Sequence, residues 1–344
     1  MTAYAFWNNK GGVGKSFLCF VAASEYAHKY PDTDVYVLDM CPQGNVSEML
    51  LGGIEASAAA IAELSKEKPR ATVAGYLEAR LNSPFFMIPD VEPFLCNPHD
   101  WNSKIPQNVH LVCGDSLLEV QAEAIRQTSQ LSVPMDSWSK VIGWLRDLRG
   151  ALKQRSGERE TFFAIDCNPS FSIYTQLALV AADEVVVPFT ADDSSRRAIE
   201  NVVALLYGLG DTYTATYARI SFSKLALDAR VDIPKLHTFI GNRITQYRGE
   251  SSNAFRAAIK AIKQTMNAIH KKKRSIFHDP NSTPGESFLE IPDYHSASVF
   301  ASMTGTPLHQ IKPGPRTLNG ETVQLNKDPL DKYRSALTAF VDRL

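Results

Sequence analysis

Between an apolar run, AYAFW (residues 3–7), and a helical pattern, SFLCFVAASEYAHKY (residues 16–30), lies the segment NNKGGVGK. A glycine-rich loop that leaves a strand and opens a helix is built to wrap an anion. Its backbone N–H groups converge on the charge, and the helix N-terminus adds its positive dipole end. In GGVGKS, Lys15 is placed to reach the β- and γ-phosphates and the Ser16 hydroxyl to ligate Mg²⁺. The next apolar run, DVYVLDM (34–40), completes strand, loop, helix, strand, a βαβ unit.

That unit sets the pattern for the rest of the chain. Further buried strands are expected at VHLVC (109–113), TFFAID (161–166), EVVVPF (184–189) and LHTFIGN (236–242), with helical stretches between them. The fold expected is α/β, a doubly wound, mostly parallel sheet with helices on both faces. Residues 84–108 and 305–328, rich in Pro with Asn, Asp or Gly, read as irregular surface loops of one domain spanning 1–344. In the last segment Leu330, Tyr333, Leu337, Val341 and Leu344 fall on one helical stripe.

Five cysteines (Cys19, Cys41, Cys96, Cys113, Cys167) without a C-x-x-C pair argue against a disulfide framework or a zinc site and for a reducing cytosol. A motif-bearing strand begins almost at Met1, so no signal peptide is expected, and no apolar run approaches the ~20 residues that span a bilayer. The expected location is cytoplasmic. The net charge of −1 means that any nucleic-acid surface must be local.

NKGGVGKS resembles the deviant Walker A box, KGGxGK[ST], of the ParA/MinD ATPases. VLDMCPQGNVSEMLLG resembles their switch I segment, and FFAIDCNPSFSIYTQLALVAADEVVVPF their Walker B and switch II run. Weaker similarity extends over 108–124 and 291–308, so the resemblance covers nearly the whole chain. It implies a P-loop NTPase that takes ATP and Mg²⁺ and forms a homodimer with ATP. Residues Lys10, Gly11, Gly12, Val13, Gly14, Lys15, Ser16 and Phe17 would surround the phosphates. Lys10 would act across the dimer in its neighbour's site, where a cation stabilises the charge of phosphoryl transfer. Asp39 and Asp166, each ending an apolar strand, would join Ser16 around the metal. Asn242, Arg243, Pro292 and Asp293 would line the adenine pocket.

Switch I departs from the family's D-x-D-P-Q. Here it reads Asp39-Met40-Cys41-Pro42-Gln43, so a thiol stands at the position of the carboxylate that orients the attacking water. A neutral thiol is a poor substitute. Slow hydrolysis is expected, unless Gln43 or Asp192 holds the water.

Between Arg243 and Arg274 nine basic residues face one acid, Glu250. With Phe255, Ile259, Ile262, Met266 and Ile269 as the buried stripe, Arg256, Lys260, Lys263 and Lys271 share a flank. Together with Arg248, Lys272, Lys273 and Arg274 they suit contact with DNA phosphates without base reading. The expected activity is an ATP-driven switch that binds nonspecific DNA and positions a plasmid, a chromosome region or a protein assembly. A ParB-like or other adaptor would stimulate hydrolysis, and the protein would associate with the nucleoid. The alternatives are a nucleotide-binding dimer with little or no hydrolysis and a MinD-like membrane switch, though for the latter the terminal helix lacks a basic face.

Overall fold

The computed structural model describes residues 2–190, 192–209, 221–244, 246–247, 250–251 and 253–344. Seven strands form the central sheet: β1 Thr2–Phe6, β2 Thr33–Met40, β3 Val109–Val112, β4 Glu160–Cys167, β5 Glu184–Phe189, β6 Lys235–Ile244 and β7 Phe288–Pro292. Their order is β3-β2-β4-β1-β5-β6-β7. Every pairing within this sheet is parallel, so the expected "mostly parallel" becomes wholly parallel.

Strand β1 shows why the sheet is covered on both sides. Ala3, Ala5 and Trp7 enter one core, while Tyr4 and Phe6 enter the other. Val73, Trp144, Leu177, Ile199 and Met266 bring helices onto the first face. Leu18, Val46, Ala297 and Leu337 bring helices onto the second. With both faces buried the strands read as unbroken apolar runs rather than alternating ones.

Two stretches go beyond the sequence reading. FLEIP forms β7 at the sheet edge, a short strand ending in Pro292, where a missing N–H is tolerated. Within 305–328, β8 Gly314–Leu318 and β9 Glu321–Leu325 pair as an antiparallel hairpin. Its turn is Asn319-Gly320, with φ of 49° and 81°, the left-handed pair that a tight two-residue hairpin needs. In 84–108 two single-turn 3₁₀ segments, Glu92–Phe94 and Pro98–Asp100, flank Cys96, which bridges to Leu111. The terminal helix Lys327–Val341 docks through Leu330, Tyr333, Leu337, Phe340 and Val341. Among the described residues no helix is long and apolar enough to cross a membrane.

Candidate functional site

The parallel arrangement puts the carboxyl-terminal ends of β1, β2 and β4 side by side. Across β2 and β4, Asp39 pairs in register with Asp166, and across β1 and β4 Asp166 pairs with Phe6. The loop after β1 turns on Gly12 and Gly14, with φ of 73° and 88°, and Gly14 caps the helix Lys15–Lys29. A Cβ on Gly14 would sit 2.1 Å from Asn242 Nδ2, so a side chain here would displace Asn242 as well as strain the left-handed backbone. At Gly11 and Gly12 a Cβ would meet nothing within 4 Å, which leaves the loop's concave side open.

Lys15 is buried, and its Nζ donates to the Lys10 carbonyl at 3.1 Å. Burial holds its pKa below the ordinary lysine value, opposed by the nearby Asp166, Cys167 and Cys41. Both acids beneath it are fully buried but differently served. Asp39 Oδ1 accepts the Cys41 N–H at 3.0 Å, and Oδ2 accepts both the N–H (3.0 Å) and the hydroxyl (2.6 Å) of Ser47. Ser47 in turn accepts the Gly114 N–H at 2.9 Å. Neither Asp166 oxygen has a hydrogen bond of full bonding geometry among the described residues, the Ser16 hydroxyl and the Cys167 N–H being the donors that approach it. Burial first, then the Asp39 charge, pushes the Asp166 carboxyl up, while Ser16 and Lys15 pull it down. Burial likewise raises Asp39 against the bonds from Ser47 and Cys41.

A buried carboxyl that faces Ser16 and Lys15, and whose ionised form burial disfavours, is one that a bound cation would stabilise. Ser16, Asp39 and Asp166 offer only oxygen, the donor set that small, hard Mg²⁺ prefers. Cys41 is 5% exposed, and its thiol is pushed up to about 12 by burial and by the Asp39 and Asp166 charges. It is therefore a neutral thiol. Gln43 points to solvent.

Lys10 is held within its own chain. Its Nζ bonds Thr190 Oγ1 at 2.9 Å, Asp192 Oδ2 at 2.5 Å and Ser195 Oγ at 3.3 Å. Burial would raise the Asp192 carboxyl, but hydrogen bonds from Lys10, Ser194 and Thr190 outweigh it and hold the group well below the carboxylate range. Asp192 thus serves as the partner of Lys10.

Phe17, Asn242, Arg243, Pro292 and Asp293 all line one cavity of about 300 Å³ beside the loop. Asn242 is pinned there by donating to the Val13 carbonyl at 3.0 Å and accepting the Arg243 N–H at 3.0 Å. The sequence reading missed Tyr294 and Tyr333 in the same wall. Phe17 stacks on Tyr333 (centroids 6.5 Å, 21° between planes), and Tyr294 meets Tyr333 edge-on at 6.1 Å. Tyr333 was visible only as one member of the terminal helix's apolar stripe. Flat aromatic walls with polar groups at the rim suit a planar heterocycle.

The basic segment lies elsewhere. On the helix Asn253–Lys272, Phe255, Ile259, Ile262 and Met266 are buried as expected, and Ile269 is partly so. Arg256, Lys260, Lys271, Lys272, Lys273 and Arg274 are exposed. Lys263 is half-buried, with its ammonium 5.2 Å from the centre of the Phe288 ring, so it does not stand clear in the expected flank. Arg248 lies outside the described residues.

No protein-family model matches the chain, and no curated protein matches it. Solved structures do. Apo McdA from Cyanothece is similar at TM-score 0.56 and 15% identity, over 98% of this chain and 99% of that one. A McdA variant from Cyanothece in complex with ATP is similar at TM-score 0.56 and 16% identity, over 98% and 96%. A protein from Borrelia burgdorferi B31 assigned to plasmid partition and bound to AMPPNP is similar at TM-score 0.51 and 15% identity, over 100% and 99%. The chain has the P-loop NTPase α/β fold that these structures share.

Proposed function

We propose that the chain is a ParA/MinD-type ATPase: a switch that dimerises with ATP, binds nonspecific DNA and positions a cargo. The observation that carries this reading is the buried Asp166 carboxyl, with no hydrogen bond of full bonding geometry among the described residues, beneath a glycine-turned loop that presents Lys15 and Ser16. The nucleotides in the McdA and Borrelia complexes are in keeping with it.

In this reading the loop amides of Gly11 to Ser16 and the Lys15 ammonium bind the phosphates. Ser16, Asp39 and Asp166 hold Mg²⁺, which when bound supplies positive charge against the phosphate oxygens. Ser47 keeps Asp39 fixed rather than ligating. The 300 Å³ cavity takes the base against the aromatic wall of Phe17, Tyr294 and Tyr333, with Asn242 and Asp293 at its polar rim. Lys10 leaves Asp192 to reach the neighbouring subunit's phosphates. Because Asp192 and its hydroxyl neighbours hold Lys10 at home, dimerisation has to break that contact. The neutral Cys41 thiol leaves the attacking water without a carboxylate, so hydrolysis is slow and an adaptor sets its pace. Arg256, Lys260 and the run Lys271 to Arg274 provide the DNA surface, with nucleoid association as the consequence.

Sedimentation of the full chain with Mg²⁺ and ATP, ADP or no nucleotide tests this. A dimer with ATP alone is expected, and one that binds unrelated duplexes with affinity falling steeply in salt. Lys260→Glu combined with Lys271→Glu should abolish DNA binding and keep ATP binding. Lys263 is left out of that pair because it packs on Phe288. A monomer at saturating ATP would sink the switch; DNA binding indifferent to both reversals would sink the surface.

A further inference from the structure

At the opposite end of the sheet from the phosphate loop, three side chains from distant parts of the chain meet. Glu184 begins β5, His237 sits near the start of β6, and His278 follows the basic helix Asn253–Lys272. One ligand-capable atom from each lies within 4.8 Å of the other two. The geometry points to a divalent transition-metal site of the Zn²⁺ class, held by the Glu184 carboxylate, His237 Nε2 and His278 Nδ1, with water as a further ligand.

The spacing argues for it. In a tetrahedral site with metal–ligand bonds of about 2.0–2.1 Å, neighbouring ligand atoms stand about 3.3–3.4 Å apart. His237 Nε2 stands 3.3 Å from Glu184 Oε2. That contact closes no hydrogen bond, for Oε2 is buried without a partner among the described residues. Glu184 as a whole is 8% exposed, so the bare oxygen is removed from solvent. A cation between carboxylate and imidazole would satisfy both lone pairs at that separation. His278 Nδ1 meets the other oxygen, Oε1, in a close contact that a shared ion would replace.

The surroundings hold the ligands in place. His237 Nδ1 bonds Thr238 Oγ1 at 2.6 Å, which orients the ring and leaves Nε2 toward Glu184, the outer-shell arrangement that metal-bound imidazoles favour. The His278 N–H donates to the Leu236 carbonyl at 2.8 Å, tying its backbone beside His237. Tyr4 packs edge-on against the His237 ring at 5.2 Å. Entry is open on two sides. Glu184 lines a surface cleft of about 640 Å³, and the His278 side chain is 55% exposed. Arg149 in that cleft is already bound to Asp183, at 2.9 and 2.7 Å, and does not compete for Glu184. Two imidazoles and one carboxylate select Zn²⁺ or a similar ion over Mg²⁺ or Ca²⁺. The ion would tie β5 and β6 to the segment leaving the basic helix.

Co²⁺ serves as the spectroscopic probe, titrated into tag-free full-length protein under a non-chelating, thiol-free reductant. Expected are one equivalent bound with visible d–d bands and no thiolate-to-cobalt charge-transfer band, competition by Zn²⁺, and a Tm raised by Zn²⁺ and returned by EDTA. His278→Ala, at an exposed position where folding is spared, should weaken Co²⁺ at least tenfold. Glu184→Gln should do the same, with circular dichroism showing each variant folded. Three results would each overturn the site: no saturable binding, binding unchanged in folded His278→Ala, or a thiolate band. The phosphate-loop acids are controlled for by Asp166→Asn, which should leave the d–d bands in place.

Discussion

At the amino-terminal ends of the strands, Asp34 and Asp183 are each closed off by an arginine. Arg159 Nε bonds Asp34 at 2.7 Å, and Arg149 grips Asp183 with two nitrogens while the Ala3 N–H adds a third bond at 2.9 Å. At the carboxyl-terminal ends, Asp39 and Asp166 meet no arginine among the described residues. Asp39 is met by neutral donors, and Asp166 by none in full bonding geometry among the described residues. All four acids sit at strand ends of one sheet, yet among the described residues arginine neutralises the acids of the amino-terminal end alone. A buried carboxylate left alone costs stability unless something outside the chain completes it. On the proposed function, the difference separates acids that hold the fold from acids that take a ligand. Glu184, at the arginine-rich end but with one oxygen unserved, belongs by this test with the second kind.

The comparison breaks most visibly at Asp166. Asp166→Asn should lower Mg²⁺-dependent ATP turnover by a factor on the order of 100, the scale of losing a metal-directed charge at a phosphoryl site. The same change should stabilise the nucleotide-free protein. With its pKa raised in the folded state, Asp166 binds a proton more tightly there than in the unfolded chain. Its contribution is present at low pH and is lost as pH rises through the raised value. The variant's Tm should thus exceed the parent's by a margin that widens from acid to alkaline pH. A parent that is the more stable at high pH without nucleotide would show that Asp166 is a structural acid like Asp34.

The mirror-image change is Arg159→Ala. It leaves Asp34, whose side chain is 9% exposed, with His110 at 4.0 Å as its remaining ion partner among the described residues. Since Arg159 itself is 44% exposed, the cost should be modest, about 1–2 kcal/mol in urea unfolding. ATP binding and turnover should not move. A drop in nucleotide affinity would mean that the two ends are not separable.

How much of this could be read from residues alone follows from how far apart the parts lie. The loop, Lys15, Ser16, Asp39 and Asp166 are legible because each depends on a local pattern, an apolar strand ending in an acid or running into glycine. Asn242, Arg243, Pro292 and Asp293 came only through resemblance, and all four line the cavity with Phe17. Tyr333 arrives there from more than 300 residues away, on a stripe that serves packing as much as the pocket. Ser47 gave no signal, since a serine early in a helix says nothing about the carboxylate it meets. The hairpin did leave one, the Asn319-Gly320 pair, masked by the Pro- and Gly-rich composition around it. Lys263 shows the limit of a helical wheel, which gives the flank but not the Phe288 ring beneath it. Glu184, His237 and His278 share no spacing at all; the parallel order of β5 and β6 brings the first two together, and the bridge of Phe277 to Leu236 adds the third.

The smallest expected effect sharpens the comparison within the carboxyl-terminal end itself. Cys41→Asp adds a third acid beside Asp39 and Asp166. The backbone there is set by the Cys41 N–H bond to Asp39, which the change leaves intact. The new carboxylate would sit where the thiol is now pushed up to about 12, so the same burial and the same two charges would resist its ionisation. Only the fraction that ionises, which a bound Mg²⁺ would increase, can orient the attacking water. The gain in turnover should therefore be about threefold, or ~0.6 kcal/mol of barrier. It should come with a lower Tm in the nucleotide-free protein and a recovery when Mg²⁺ and ATP are added. Cys41→Ser, which restores polarity without charge, should leave turnover where it is. A gain in the serine variant equal to that of the aspartate would assign the limit to polarity at this position rather than to the missing charge. No gain in either would assign the water to another group.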